Sequence, residues 1–456
     1  MNGLPGVVKT DEKIGRYLEA NRDIKQGEII ITEEALMVGP SGDPHPFKIC
    51  LGCCRVVIGE PVYCGTCKWP MCSEACEKIA LHAKFECRVF KNAGVKPTND
   101  PQDYHNINIL RCLMLKEANM KKYETLMKLE SGGGDKKKKV VAPKEVAEFI
   151  LKKCNQKSYD NELLGKMSGI VAINSFATTD RLSLSIAPRM AALLFYNASM
   201  MSHDCVPNTS WIRVENPDNT FSIKVWATVP IKSGQLITTQ YLDVTRSQIE
   251  RRAHLQETYN FACSCKRCSD PTELGTFYGA VKCTKCPKGK GYMLSEDPMK
   301  ASDANWKCNA CGNSAPYREC AVPIETNIVE EIRAAADEVE LERILDKHAD
   351  ITLHPNHWLM MDCRQEIVKR LFNSIATIKE VPRRVERAQK MLEYCRALHK
   401  VTEAFYPGNN RIKARSNLYV QYAEALTKGE GEEVDKELDR IEEVIRKGEE
   451  MNLFES

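Results

Sequence analysis

The chain has 456 residues, material for roughly two to four domains, and a net charge of only +3. That charge gives no global electrostatic case for sequence-specific nucleic-acid binding or for a membrane surface, and no apolar run approaches the roughly 18 residues that span a bilayer. Its 21 cysteines would suggest disulfides in a small secreted domain, but this chain is large and Met1 to Thr10 lacks a basic-then-apolar leader. The expectation is a reducing environment, cytoplasmic and nuclear, with thiolates held by metal.

In chain order, Leu18-Glu19-Ala20 and Glu28 to Thr32, joined through the Gln26-Gly27 turn, predict two strands of a small antiparallel sheet. A Pro/Gly-rich stretch (Pro40, Gly42, Pro44, Pro46) then marks a boundary. From Cys50 to Cys87 the order is C-x2-C, C-x2-C, C-x3-C, closed by His82 and Cys87. Eight soft ligands suffice for two tetrahedral zinc ions, with Cys50, Cys53, Cys72 and Cys76 assigned to one and Cys64, Cys67, His82 and Cys87 to the other. Tyr104 to Leu129 has helical periodicity, with Ile107, Leu110, Leu113, Met114 and Leu115 on one side. Ser131 to Asp135 with Lys136 to Lys139 is a polar, charged loop, with a nuclear-localisation patch as the alternative, and Pro143 to Lys166 is helical again.

Residues 169 to 241 turn β-rich, with Phe221 to Trp226 and Leu236 to Thr239 as strands. Cys263, Cys265 and Cys268 form a C-x-C-x2-C cluster that needs a distant fourth ligand. Cys283-x2-Cys286 and Cys308-x2-Cys311 have zinc-ribbon spacing. From about Ile324 the chain is helical. Val385, Ala388, Met391, Leu392, Cys395 and Leu398 make one amphipathic stripe, and Ile412, Leu418, Tyr422 and Leu426 another after Pro407-Gly408. This is the pattern of stacked helical hairpins.

Three further stretches carry chemistry when taken together: Gly15-Arg16-Tyr17-Leu18, Ser202-His203-Asp204-Cys205-Val206-Pro207-Asn208, and Gly234 to Tyr241. With the cysteine series they resemble the SET-and-MYND family of protein lysine methyltransferases over roughly residues 10 to 270. The added ribbon is similar to the arthropod-type subgroup. The resemblance implies an α+β fold: an N-terminal SET lobe (1–46), a MYND finger (47–90), a helical insert (91–170), the SET core (171–245), a post-SET zinc cluster with the ribbon (246–320) and a helical C-terminal domain (321–456).

It further implies that Cys205 joins Cys263, Cys265 and Cys268, giving about four zinc ions: two in the finger, one in the post-SET cluster and one in the ribbon. The remaining cysteines, Cys54, Cys112, Cys154, Cys320, Cys363 and Cys395, are expected to be small buried hydrophobes. Carried over likewise, Tyr241 is the catalytic residue. S-adenosyl-L-methionine would lie against Arg16, Tyr17, Asn174, Ser199, Ser202, His203, Tyr241 and Phe261, with Tyr259 and Phe261 as aromatic walls.

The implied partners are a protein with a target lysine and proline-motif peptides at the finger. The alternative is a weak or inactive SET scaffold that acts through its finger as a transcriptional repressor adaptor. Three positions depart from the family pattern. Tyr17 replaces a glycine, at a cost of roughly 1–2 kcal/mol if the backbone there is left-handed. Ser202 replaces an asparagine, and Gln235-Leu236 replace an acidic pair.

Overall fold

The computed structural model describes residues 4–11, 14–42, 47–132, 141–177, 189–216, 220–286, 290–429 and 431–447. The Lys136–Lys139 run and Pro44 and Pro46 lie outside them. Among the described residues no helix is long and apolar enough to cross a membrane.

The N-terminal half is built from short antiparallel sheets. Gly6–Asp11 pairs with Gly15–Ala20. Phe221–Ala227 runs between Thr209–Glu215 and Ile29–Glu34, and Ala191–Leu194 runs between Met37–Pro40 and Ser175–Ala177. The two strands expected in one small antiparallel sheet both exist, but they do not pair with each other. Ile24 exchanges both backbone hydrogen bonds with Ile231, at 2.8 and 3.0 Å. That exchange pulls the connection away and sends Ile29–Glu34 into the next sheet.

The helical insert also departs from the expected continuous runs. Pro101–Ala118 ends at Asn119, whose backbone is extended and whose side chain accepts Lys122 N–H to start Met120–Leu126. Asparagine competes with the helix ladder in this way and favours caps. The first helix is buried almost all round rather than on one stripe; Asn106, Asn108 and Arg111 lie inside with the aliphatic residues. The 143–166 segment divides into Lys144–Ala147, a π-helical turn Glu148–Lys153, and Asn161–Asn174 capped by Asp160.

Three cores follow. The first joins the sheets, the insert and the cysteine-rich finger, so Cys50, Cys64 and Trp69 share it with Leu110 and Leu193. The second joins the ribbon to the C-terminal helices: Met293 and Trp306 lie in it with Leu341, Leu345 and Met360. The third joins Cys205, Cys263 and Cys268 to Met361, Val401 and Phe405 of those helices.

The ribbon is a four-stranded meander, Val281–Lys282, Tyr292–Ser295, Asn305–Cys308 and Ser314–Pro316. Val322–Ala334, Glu338–His348, Trp358–Ser374, Val381–Phe405, Arg411–Thr427 and Glu432–Lys447 follow, most packing on the next in sequence. The Pro407-Gly408 break docks this domain onto the SET core. Asn409 N–H donates to Thr228 O at 2.9 Å and Trp226 Nε1 donates to Asn409 O at 2.8 Å. Gly408 has φ +65°, and a Cβ there would lie 1.8 Å from Thr228 O, so both its conformation and its space demand glycine.

Candidate active site and metal centres

The finger ligands interleave as two sets. Cys64, Cys67, His82 and Cys87 are all buried, with their ligand atoms within 4.8 Å of one another; Cys50, Cys53 and Cys76 form a second group. Cys72 joins it, its Sγ 3.7 Å from that of Cys53. Four tetrahedral bonds of about 2.3 Å put zinc-bound sulfurs about 3.8 Å apart. The observed separations meet that requirement: Cys64–Cys87 3.7 Å, Cys205–Cys268 3.6 Å and Cys283–Cys311 3.7 Å.

Cys205, Cys263, Cys265 and Cys268 form one group, and Cys283, Cys308 and Cys311 another. Cys286 belongs to the latter, since a Cβ on Gly291 would lie 2.9 Å from its Sγ and 2.2 Å from that of Cys308. These donor sets fit zinc. Of the cysteines left over, Cys54, Cys112, Cys154, Cys363 and Cys395 are buried as expected, whereas Cys320 is only partly buried.

Behind two of the four ligand sets, that of His82 and that of Cys205, stands a buried charge network that the sequence analysis missed. His82 Nδ1 is 2.8 Å from Glu86 Oε1. Arg111 grips the same carboxylate through Nε and Nη2, at 2.7 and 2.6 Å. The other donations from Arg111 go to Val38 O at 2.7 Å and Leu51 O at 2.8 Å. Burial raises the Glu86 carboxyl, but the Arg111 charge and the His82 contact hold it below its usual range. In the post-SET cluster Arg251 Nη2 lies 3.7 Å from Cys268 Sγ and 2.8 Å from Glu273. Arg267 Nε donates to the same Glu273 oxygen at 2.9 Å. Outer partners of this kind orient metal ligands. The i, i+4 spacing of His82 and Glu86 was a visible signal; nothing in the sequence marks Arg111 as buried.

The residues around Tyr241 converge through a short parallel pairing of Ser202–His203 with Thr238–Thr239. Asn208 clamps the crossing: its Nδ2 donates to Leu236 O at 2.8 Å and its Oδ1 accepts Thr238 N–H at 2.8 Å. His203 Nδ1 accepts the Tyr241 N–H at 3.0 Å. That bond leaves its Nε2 to donate toward Cys205 Sγ, 3.4 Å away. Burial holds the imidazole down at about 4, so the ring is neutral.

The Tyr241 hydroxyl donates to Met201 O at 2.6 Å. Its pKa is driven up by burial, then by Tyr259. Tyr259 stands 4.8 Å away, centroid to centroid, and Phe261 6.4 Å edge-on. Aromatic faces in this grouping suit a cationic sulfonium.

The other expected contacts lie around this group. Gly15–Ala20 packs on the Ala198–Met200 turn and on Ser202–His203. Ser199 Oγ donates to Phe195 O at 2.6 Å. Glu33 holds the turn by accepting Ala198 N–H at 2.7 Å and Asn197 N–H at 3.0 Å. Arg16 and Asn174 meet one short segment, Arg16 Nη1 donating to Lys128 O at 2.9 Å and Asn174 Nδ2 to Glu130 O at 2.7 Å. Tyr17 sits in an extended strand opposite Lys9, and the positive φ of this turn falls on Gly15, +72°. The left-handed cost expected at Tyr17 therefore does not arise.

The pattern that defines the SET domain matches residues 15–242, half of the chain. SET domain-containing protein SmydA-8, isoform B, of Drosophila melanogaster is 27% identical over 321 residues, covering 67% of this chain and 66% of the relative. Histone-lysine N-methyltransferase Smyd1 of Mus musculus is 26% identical over 333 residues, covering 68% and 65%. Histone-lysine N-methyltransferase ASHR1 of Arabidopsis thaliana is 23% identical over 433 residues, covering 89% and 84%. The chain thus spans just under two-thirds of the length of the first two relatives.

Proposed function

This chain belongs to the SET-domain family, in its SET-and-MYND branch, and we propose that it is an S-adenosylmethionine-dependent protein lysine methyltransferase. The observation that carries the reading is the Tyr241 hydroxyl, half-buried among Tyr259, His203 and Phe261 at a crossing that Asn208 clamps. When bound, S-adenosylmethionine would supply the electrophilic methyl group. Arg16, Tyr17, Asn174, Ser199, Ser202, His203 and Phe261 are assigned to hold it.

The rest of the work is positioning and dehydration. Burial keeps the Tyr241 phenol protonated and its hydrogen goes to Met201 O, so its oxygen accepts an N–H of the lysine amine and leaves the nitrogen lone pair free to attack. The rings of Tyr259 and Phe261 exclude water, and desolvation lowers the pKa of a lysine amine toward its reactive neutral form. His203 fixes the Tyr241 backbone through its Nδ1. Orientation of this kind can supply several kcal/mol of barrier reduction.

The partner we assign to this site is a protein bearing the target lysine. Proline-motif peptides are proposed for the finger, where the exposed Ile58, Val62 and Tyr63 support the assignment. Reduced, metal-held thiols support a cytoplasmic and nuclear location.

Calorimetry of the zinc-loaded protein with S-adenosylmethionine tests the enzyme reading. Saturable heat is expected, together with methyl transfer to histones or lysate proteins. Tyr241→Phe should keep cofactor affinity and lose transfer by about 100-fold or more. Absence of both heat and thermal stabilisation at millimolar cofactor would leave the scaffold alternative, in which the finger recruits partners.

A further inference from the structure

A second cavity lies away from Tyr241, between the ribbon, the start of the Gln248–Tyr259 helix and the C-terminal helices. It is a shallow cavity that opens onto solvent. Its aromatic walls are Trp306 from the ribbon, Tyr317 from the connection after it, and Trp358 from the helical domain. Trp306 and Tyr317 pack with centroids 5.0 Å apart.

Glu325 stands at the junction of these rings. Tyr317 Oη donates to its Oε2 at 2.5 Å, and Trp358 Nε1 donates to its Oε1 at 3.2 Å. His357 Nε2 reaches the same Oε1 at 3.2 Å, while His357 Nδ1 accepts the Leu359 N–H. Nε2 is therefore the N–H of a neutral ring. The Glu325 side chain is only 12% exposed, and neither a lysine nor an arginine is among its hydrogen-bond partners, which are Tyr317, Trp358 and His357. Buried carboxylates are ordinarily matched by a cation.

Among the described residues no lysine or arginine lines the cavity. Glu273, also in the lining, is already paired with Arg251 and Arg267, and Asp270 is engaged by its own turn. Arg252 reaches this region only to donate to Pro298 O.

We propose that this cavity binds a methylated ammonium group, with a methyl-lysine side chain of a protein as its occupant. Aromatic faces around a carboxylate attract a cation whose hydration is weak. Methylation matters because of how Glu325 is used. Three donors already occupy its two oxygens, so it offers charge but little acceptor capacity. An unmodified ammonium wants three acceptors for its N–H groups; a trimethylated one wants none. Two polar atoms in the lining, Trp306 Nε1 and Ser295 Oγ, have no partner within the protein. A peptide adds a main chain that can lie along the mouth of the cavity, which a small quaternary amine lacks. This inference is independent of the methyltransferase reading, because binding stands with or without transfer.

The test uses the full-length, zinc-loaded protein, titrated with a trimethyllysine peptide, the same peptide unmodified, and choline, read by calorimetry and tryptophan fluorescence. The trimethylated peptide should bind about tenfold or more tighter than either comparison. Glu325→Gln should weaken it about tenfold while leaving zinc content and methyl transfer at wild-type levels. Tyr317→Leu, which removes a wall but keeps the carboxylate, is the second variant should Glu325→Gln misfold, and it should weaken binding as well. Equal affinity for the modified and unmodified peptides, choline binding as tightly as the peptide, or full affinity in the folded variant would each overturn the proposal.

Discussion

The finger and the post-SET cluster solve the same problem, holding close thiolates, in opposite ways. The finger collects its eight ligands within one stretch, Cys50 to Cys87, and interleaves them. The post-SET cluster takes Cys205 from the centre of the chain and the other three ligands from residues 263–268. Both rest on buried arginine–glutamate contacts, Glu86–Arg111 in one and Arg251–Glu273–Arg267 in the other. The consequence differs. Arg111, on the insert helix, ties the finger's Leu51 carbonyl to the Val38 carbonyl of the neighbouring sheet. The post-SET sulfur of Cys205 touches His203, which holds the Tyr241 backbone. One ligand set is a strut; the other is built into the proposed active site.

The largest effect should separate them. Cys205→Ser removes the one post-SET ligand that comes from outside the 263–268 cluster, so mass spectrometry should find about one zinc equivalent fewer. Much of the roughly 10 kcal/mol that a structural zinc site contributes should go with it, and so should cofactor binding. Cys72→Ser, at the exposed edge of the finger, should also shed zinc yet keep cofactor affinity within about threefold. If both variants lose the cofactor equally, the distinction between strut and active-site metal collapses.

Next in size is Arg111→Ala, which leaves Glu86 charged, buried and without its arginine. Breaking such a pair costs about 3–5 kcal/mol, measurable in denaturant titration. The same variant should weaken finger zinc about 10- to 100-fold by chelator competition, as loss of an outer-shell partner does. A Glu86→Gln/Arg111→Met double variant should cost clearly less than the two single changes summed. Strict additivity would mean that Arg111 acts through Val38 and Leu51 alone.

The smallest effect concerns the join between the halves. Trp226→Phe removes the Nε1 bond to Asn409 O, a loss of about 1 kcal/mol. Hydrogen exchange should rise at residues 406–410 while the ribbon stays protected; an unchanged loop would show that Gly408 and Asn409 hold the join without it.

Several of these features were legible without coordinates. C-x2-C spacing is a local geometric requirement of a metal knuckle, so fifteen cysteines and His82 could be assigned to four zinc sites, Cys205 through family resemblance. Helical periodicity located the Val381–Phe405 and Arg411–Thr427 helices. Boundaries failed where side chains competed with the backbone ladder, at Asn119 and Asp160. Strand partners failed because a strand's pattern records which face is buried and not which neighbour it will meet.

The sequence by itself determined the ligand inventory, the family and the tyrosine to test, because each depends on residue type at short spacing. Only the tertiary structure decided that Arg111 and Glu86 are buried partners, that Tyr17 is extended while Gly15 carries the left-handed turn, and that Trp306, Tyr317 and Trp358 surround Glu325. Those facts depend on contacts between segments far apart in the chain, and long-range burial leaves no local mark on a charged or aromatic residue.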